Sequence, residues 1–249
     1  MNPNAAHEPI IKIENLYKKY GDNVVLDGFN LNLYQGENLV IMGKSGSGKS
    51  VMIKCLIGLE IPDSGKIEIM SQKLEHLSLK ALDEIRADIG FLFQGSALYD
   101  SMTVRENLEF PLRRHISKFG NVKDTLPLVE EALQNVGLKN VIDLMPNELS
   151  GGMKRRVALA RTLILKPKII IYDEPTTGLD PITSKEIILL MKSVQEKYRT
   201  SSIIITHDVD CARVIANRMI LLIDGKNYAE GTFAELSTSQ DPKVKAFFK

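Results

Sequence analysis

The stretch Asn38-Leu39-Val40-Ile41-Met42-Gly43-Lys44-Ser45-Gly46-Ser47-Gly48-Lys49-Ser50 decides the fold. Asn38 to Met42 reads as a buried strand, glycines follow at once, and a helix is expected from about Lys49 to Leu59. Gly43 to Ser50 fits G-x-x-x-x-G-K-[ST] at every fixed position. Glycines there let the backbone wrap closely around phosphate oxygens, while exposed N–H groups and a helix N-terminus supply positive potential. Lys49 would reach the β- and γ-phosphates, and the Ser50 hydroxyl would ligate Mg²⁺. Gly43, Lys44, Ser45, Gly46, Ser47, Gly48, Lys49 and Ser50 therefore form the expected phosphate cradle. A Gly/Ser-rich connecting loop is the competing reading, and the strand–loop–helix context argues against it.

A second stretch, Ile169-Ile170-Ile171-Tyr172-Asp173-Glu174, reads as a buried strand ending in two carboxylates. Ligands of open parallel sheets gather at strand carboxyl ends, so these acids are expected to face the phosphate loop. Asp173 would hold Mg²⁺ through water, and Glu174 would polarise the attacking water as general base. Alone, the pair could equally be solvated acids at a strand end. Together the two stretches define a P-loop ATPase.

Strand-like and helix-like segments alternate along the rest of the chain, which indicates α/β architecture. Strands are expected at Ile10 to Ile13, Val24 to Leu33, Lys66 to Met70, Ile89 to Phe93 and Ile203 to Ile205. Met219 to Ile223 and Lys226 to Ala229 flank Asp224-Gly225 as a terminal hairpin. From about Thr103 to Leu165 the pattern is helical. It opens on the capping-box sequence Thr103-Val104-Arg105-Glu106 and includes Asp124 to Val136. Ser184 to Tyr198 is a further amphipathic helix. No repeat or linker divides the chain. One domain is expected, with a nucleotide-binding core at about 9–96 and 168–249 and a helical subdomain at about 97–167.

Composition narrows the classes. The chain has 249 residues, 44% of them hydrophobic and 25% charged, which suits a globular core and not a disordered chain. Lys plus Arg number 32 against 31 Asp plus Glu, so no global basic field exists for nucleic acid. Cys55 and Cys211 lie far apart without metal-ligand spacing and read as small apolar core residues in a reducing compartment. Met1 to Pro9 has no apolar h-region and reads as no secretory signal. No apolar run approaches the roughly 20 residues of a spanning helix, so a membrane role would need another chain.

Leu149-Ser150-Gly151-Gly152-Met153 precedes an Arg- and Ala-rich helix, Lys154 to Leu165. A Ser-Gly-Gly turn at a helix start is a second anion site. The segment resembles the signature motif of ABC ATPases. That resemblance implies a RecA-like P-loop core with an antiparallel β subdomain and an inserted helical subdomain. It also implies an ATP-bound dimer of two copies packed head to tail. Ser150, Gly151 and Gly152 of one copy would close over the ATP held by Lys49 of the other. Tyr20, placed before the first sheet, resembles the aromatic that stacks on adenine, though by itself it would read as core. Gln94 resembles the Q-loop glutamine that senses Mg²⁺ and the membrane partner. Gly178-Leu179-Asp180 resembles the D-loop, in which Asp180 communicates across the dimer. His207, after Ile203 to Thr206, resembles the switch histidine that contacts the γ-phosphate. A lone Gln or His carries little signal, and His7, His76 and His115 match nothing.

Three features resemble one branch of that family, the ATPases of Mla/Mce-type phospholipid transporters. The signature ends in Met153, followed by Lys154-Arg155-Arg156, where Gln is usual at Met153. The stretch Gly90 to Val104 and the ending Asp241 to Phe248 are also similar to that branch. The resemblance implies an integral membrane permease partner at the cytoplasmic face of the inner membrane. An MCE-domain lipid-binding protein and a small regulatory subunit are further implied partners. Leu98, Tyr99 and Met102 would dock the permease, or would pack internally. Rival readings are an ABC ATPase of another transporter (lipoprotein release or amino-acid uptake), a soluble non-transport ABC ATPase, and a regulator that binds without hydrolysis.

Overall fold

The computed structural model describes residues 8–119 and 124–248. Most of the polar N-terminal stretch, including His7, lies outside them. In chain order the elements are β1 (Ile11–Tyr20), β2 (Asn23–Leu33), β3 (Asn38–Met42), α1 (Lys49–Leu56), β4 (Ser64–Ile69), β5 (Gln72–Lys73) and α2 (Leu79–Ala87). There follow β6 (Ile89–Leu92), α3 (Val104–His115), α4 (Leu126–Asn135), α5 (Gly151–Leu163), β7 (Ile169–Asp173) and α6 (Pro181–Tyr198). The chain closes with β8 (Ser201–Ile205), α7 (Val209–Ile215), β9 (Arg218–Ile223), β10 (Lys226–Gly231), α8 (Phe233–Ser237) and α9 (Pro242–Lys245). This is the expected α/β architecture with an antiparallel and a parallel sheet. The chain divides into two compact units: the residues up to Arg86 with those from Ser201 onward, and Ala87–Thr200.

In the first unit, β3 is buried at every position, as a parallel strand covered on both faces must be. It pairs in parallel with β8, Ile41 opposite Ile205, and with β9, Met42 opposite Leu221. β9 turns into β10 through Asp224 (φ 50°) and Gly225 (φ 74°), the left-handed pair a tight hairpin needs. An antiparallel sheet of order β2-β1-β4-β5 completes the unit. β1 runs well past the strand expected at Ile10 to Ile13. A bulge with Asn15 at φ 51° shifts the alternation, so that Ile11, Ile13 and then Leu16 face the core. Helix α1 stops three residues short of the expected Leu59. Gly58 at φ 67° ends it, and the Leu59 N–H donates to the Lys54 carbonyl at 2.8 Å. Helix α2 has no counterpart in the sequence reading. Arg86 near its end donates to the carbonyls of Ile57 (2.9 Å) and Gly58 (3.0 Å), satisfying the end of α1. Cys55 and Cys211 are buried thiols, as expected, and burial pushes Cys55 up to about 11.

In the second unit, β6 and β7 pair in parallel. Gly90 is required where α5 crosses β6, because a Cβ there would sit 2.5 Å from Thr162 Cγ2. The Thr103 capping box forms as read: Thr103 N–H donates to Glu106 at 2.8 Å and Glu106 N–H to Thr103 Oγ1 at 3.2 Å. Among the described residues no helix is long and apolar enough to cross a membrane.

One buried ion pair ties β3's approach to β9. Arg218 donates to both Glu37 carboxylate oxygens, at 2.8 and 3.0 Å, and Glu37 is 5% exposed. Glu37→Ala removes the bidentate partner and leaves that guanidinium only Glu230 and the Asn32 carbonyl, and a loss of about 2 kcal/mol is expected in urea unfolding. An unchanged midpoint would show that the pair contributes nothing.

Candidate active site

The loop after β3 has the conformation that its glycines require. Gly46 (φ 79°) and Gly48 (φ 103°) lie in the left-handed region, and Gly48 is the residue that starts α1. A Cβ on Gly48 would fall 2.6 Å from the Val25 carbonyl oxygen. One on Gly43 would fall 2.4 Å from Ser47 Oγ and 2.8 Å from the Leu222 carbonyl oxygen. The loop is thus seated against β2 and β9 with no room for side chains at these positions. Lys44, Ser45 and Gly46 are exposed along its outer turn, and Ser50 is exposed in the first turn of α1. Lys49 folds over the loop, its ammonium donating to the Gly43 (2.7 Å) and Lys44 (2.9 Å) carbonyls. The first N–H groups of α1 emerge beside that cation, which is an anion-binding arrangement.

His207 leaves the sheet at the same edge. Ile41 and Ile205 are paired, so Gly43 and His207 each lie two residues beyond paired positions on adjacent parallel strands. His207 is exposed, held where the chain turns from β8 into α7. Asp208 N–H donates to Thr206 Oγ1 (3.0 Å), and the Asp208 carboxylate caps α7 through the Asp210 (2.9 Å) and Cys211 (3.0 Å) N–H groups. Tyr20 is placed differently from the reading: it is the last residue of β1, inside the antiparallel sheet, at the turn through Gly21. Its ring is 46% exposed, with the Lys18 ammonium 5.3 Å from the centroid. Lys18 is fixed in turn by Glu60 (3.3 Å), Asp63 (3.6 Å) and the Ile61 carbonyl (2.8 Å).

The second unit carries Gln94, Ser150, Gly151, Gly152, Asp173, Glu174 and Asp180. Asp173 ends β7, and Glu174 follows at φ 48°. That is a costly conformation for a non-glycine residue preceding Pro175, and it is held by a turn. Thr177 donates its N–H to the Glu174 carbonyl (3.3 Å) and its hydroxyl to Glu174 Oε2 (3.2 Å). Asp180 caps α6, accepting from the Ile182 and Thr183 N–H groups at 3.0 Å, and hydrogen bonds with Thr183 hold its carboxyl below the usual range. Ser150 caps α5, its hydroxyl accepting from Met153 N–H at 3.3 Å. Gly151 is exposed, whereas a Cβ on Gly152 would meet Thr183 Cγ2 at 2.7 Å.

Gln94 is exposed in the turn after β6, and the segment beyond it is stapled by side chains to which the sequence reading gave no such role. Arg155, 3% exposed, donates to the carbonyls of Phe93 (2.7 Å), Gln94 (2.5 Å) and Thr177 (3.3 Å). Arg161 donates to the Ser96 carbonyl (3.1 Å), and Asn107, fully buried, bonds both the N–H and the carbonyl of Tyr99. These staples hold Ser96 (φ 62°) and Ala97 (φ 49°) in the left-handed region. Beside them lies an open groove of about 410 Å³ lined by Phe91, Phe93, Tyr99, Phe110 and Arg161 among others. Phe93, Tyr99 and Phe110 are each 44% exposed. Of the three expected docking residues, Tyr99 lines the groove, while Leu98 and Met102 are half-buried and outside its lining.

Comparison with known proteins identifies the family. A family model described as ABC transporter matches residues 26–177. The chain is 40% identical over 243 residues, 98% of its length and 91% of the relative's, to the intermembrane phospholipid transport system ATP-binding protein MlaF of Haemophilus influenzae. It is 36% identical to the methionine import ATP-binding protein MetN of Campylobacter jejuni, covering 96% of this chain and 75% of that one. Among solved structures, a dimeric post-hydrolysis state of the ATP-binding cassette MJ0796 bound to ADP and Pi superposes with a TM-score of 0.79 at 36% identity, over 90% of this chain and 98% of that one. CbiO1 of Clostridium perfringens superposes with a TM-score of 0.83 at 29% identity, over 96% and 95%.

The loop's packing makes a graded prediction for nucleotide binding. Gly48→Ala meets both a forbidden φ and the Val25 carbonyl, and should weaken binding of a fluorescent ATP analogue by more than about tenfold, a 1.4 kcal/mol effect. Gly46→Ala meets open space and should cost less. Equal affinities in a titration would show that the loop relaxes freely.

Proposed function

The chain belongs to the ABC transporter family of ATP-binding proteins, and on that premise we propose that it drives a separate permease that moves phospholipid between membranes. It binds and hydrolyses ATP as its family does. The similarity to MlaF, spanning nearly the whole of both chains, supports the lipid reading, and the Met153-Lys154-Arg155-Arg156 continuation of the signature accords with it. A methionine importer is the second reading, favoured by the MetN relatives.

N–H groups of residues 43–50 and the Lys49 ammonium hold the ATP phosphates. Tyr20 offers an open aromatic face for adenine. Glu174 orients the attacking water, and His207 meets charge on the γ-phosphate. Ser150, Gly151 and Gly152 of a second copy close over the nucleotide, so ATP joins two chains, with Asp180 and Gln94 signalling to the other copy and to the permease. Loss of the γ-phosphate removes those contacts and the dimer reopens. The oxygen donors Ser50 and Asp173, with Gln94, suit Mg²⁺. Mg²⁺ keeps several waters and takes substrate phosphates as ligands, so one or two oxygen donors from the chain would suffice to hold it. When bound it would neutralise charge on the phosphates.

The groove beside Gln94, with its three exposed aromatic rings, is the surface we assign to the permease. The chain would then lie at the cytoplasmic face of the inner membrane, held there by the permease, with an MCE-domain protein and a small regulatory subunit as further partners and no nucleic acid. The core at about 9–96 and 168–249 would bind nucleotide, with 97–167 as the signature subdomain.

Three outcomes are expected. Glu174→Gln binds ATP but accumulates a dimer by light scattering, and a monomer at saturating Mg·ATP would defeat the sandwich. Lys49→Ala loses ATP binding by more than about a hundredfold, roughly 2.7 kcal/mol. A tagged chain pulled from solubilised host membranes brings down a multi-spanning permease with an MCE-domain protein. A methionine permease in its place would retain the motor and discard the lipid.

A further inference from the structure

Three basic residues follow Met153, and they have different fates. Lys154 and Arg156 are half-buried, and Arg156 pairs with Glu186 at 2.9 Å. Arg155 is buried, and among the described residues no carboxylate meets it. Its Nε is buried without a hydrogen bond, while its two terminal nitrogens serve three carbonyl oxygens. Burying a charge without a counter-charge is unfavourable, and an apolar side chain would satisfy helix packing better. What an arginine adds is a rigid fork of donors that fixes several backbone oxygens relative to one another.

We propose that Arg155 is a positioning residue for hydrolysis, whose guanidinium locks the turn presenting the Glu174 carboxylate to the backbone around Gln94. The inference rests on reading Glu174 as the general base. The contacts form one chain. Arg155 holds the Thr177 carbonyl at 3.3 Å, and Thr177 holds the Glu174 carboxylate through its hydroxyl at 3.2 Å and the Glu174 carbonyl through its N–H at 3.3 Å. Glu174 sits at φ 48°, a conformation that needs such external support. The same guanidinium holds the Phe93 and Gln94 carbonyls, so the turn and the Gln94 segment share one anchor. A base misplaced by a fraction of an ångström loses rate without losing nucleotide affinity.

The test is steady-state phosphate release by the purified full-length chain with Mg·ATP. The variants are Arg155→Met, Arg155→Lys, Thr177→Val, the Arg155→Met/Thr177→Val double and Glu174→Gln. Arg155→Met should lower kcat by about tenfold to a hundredfold with KM for ATP within about threefold of wild type. Arg155→Lys should not rescue it, because an ammonium lacks the fork. Thr177→Val should lower kcat as well, and the double should fall no further than Arg155→Met alone. Wild-type kcat in Arg155→Met, rescue by lysine, or losses that multiply in the double would each overturn the proposal. Should Arg155→Met fail to fold, Thr177→Val deletes only the hydroxyl contact, and wild-type turnover there overturns it equally. Full activity in Glu174→Gln would instead remove the general-base reading on which the proposal stands.

Discussion

A triphosphate can be held by neutral backbone only where several N–H groups point inward with no side chain between them and the anion. That constraint reaches far into the first unit. Gly43 and Gly48 must lack a Cβ because the loop is pressed against Leu222 of β9 and Val25 of β2. Such pressing needs a rigid floor, which β3 supplies by being buried at all five positions and paired on both sides. A parallel strand of that kind offers polar groups to a ligand only beyond its carboxyl end. His207 and the loop accordingly leave from adjacent strands at one edge.

The second unit solves the opposite problem. Its turns are irregular, with Glu174, Ser96 and Ala97 all in the left-handed region, and turns of that kind need partners for their carbonyl oxygens. Helix α5 provides them. Its start presents the Ser150-Gly151-Gly152 turn, and its buried face sends Arg155 and Arg161 to backbone carbonyls on either side of Gln94. One helix therefore carries a capped Ser-Gly-Gly turn at its start and, within the next three turns, the donors that hold the Gln94 segment. Two buried hydrogen-bonding groups, Arg155 and Asn107, hold this segment, and the aromatic groove beside it is correspondingly well defined.

Much of this was legible in the sequence where residue identity itself carries the physics. An unbroken apolar run followed by Gly43 to Ser50 gave β3, the loop and the start of α1. Asp224-Gly225 gave the β9–β10 hairpin, and Thr103 with Glu106 gave the cap of α3. Strand β1 was cut short because a bulge at Asn15 breaks the two-residue period, which placed Tyr20 outside a sheet it belongs to. Helix α2 was missed although Ser78 caps it, its Oγ accepting from Ala81 N–H at 3.2 Å. Arg155 and Thr177 were illegible for a deeper reason. Arg155's partners are main-chain carbonyls, which have no residue identity to read. The remaining clue was periodicity, since position 155 shares the buried face of α5 with Ala158, Leu159 and Thr162.

The central claim is that each nucleotide is completed by the signature turn of a second copy. Its most direct test is phosphate release as a function of chain concentration, at saturating Mg·ATP and without the permease. The account predicts a rate per chain that rises with concentration and then saturates as pairs form. A rate per chain that stays constant over the full range, with the chain shown to be monomeric throughout, would contradict it.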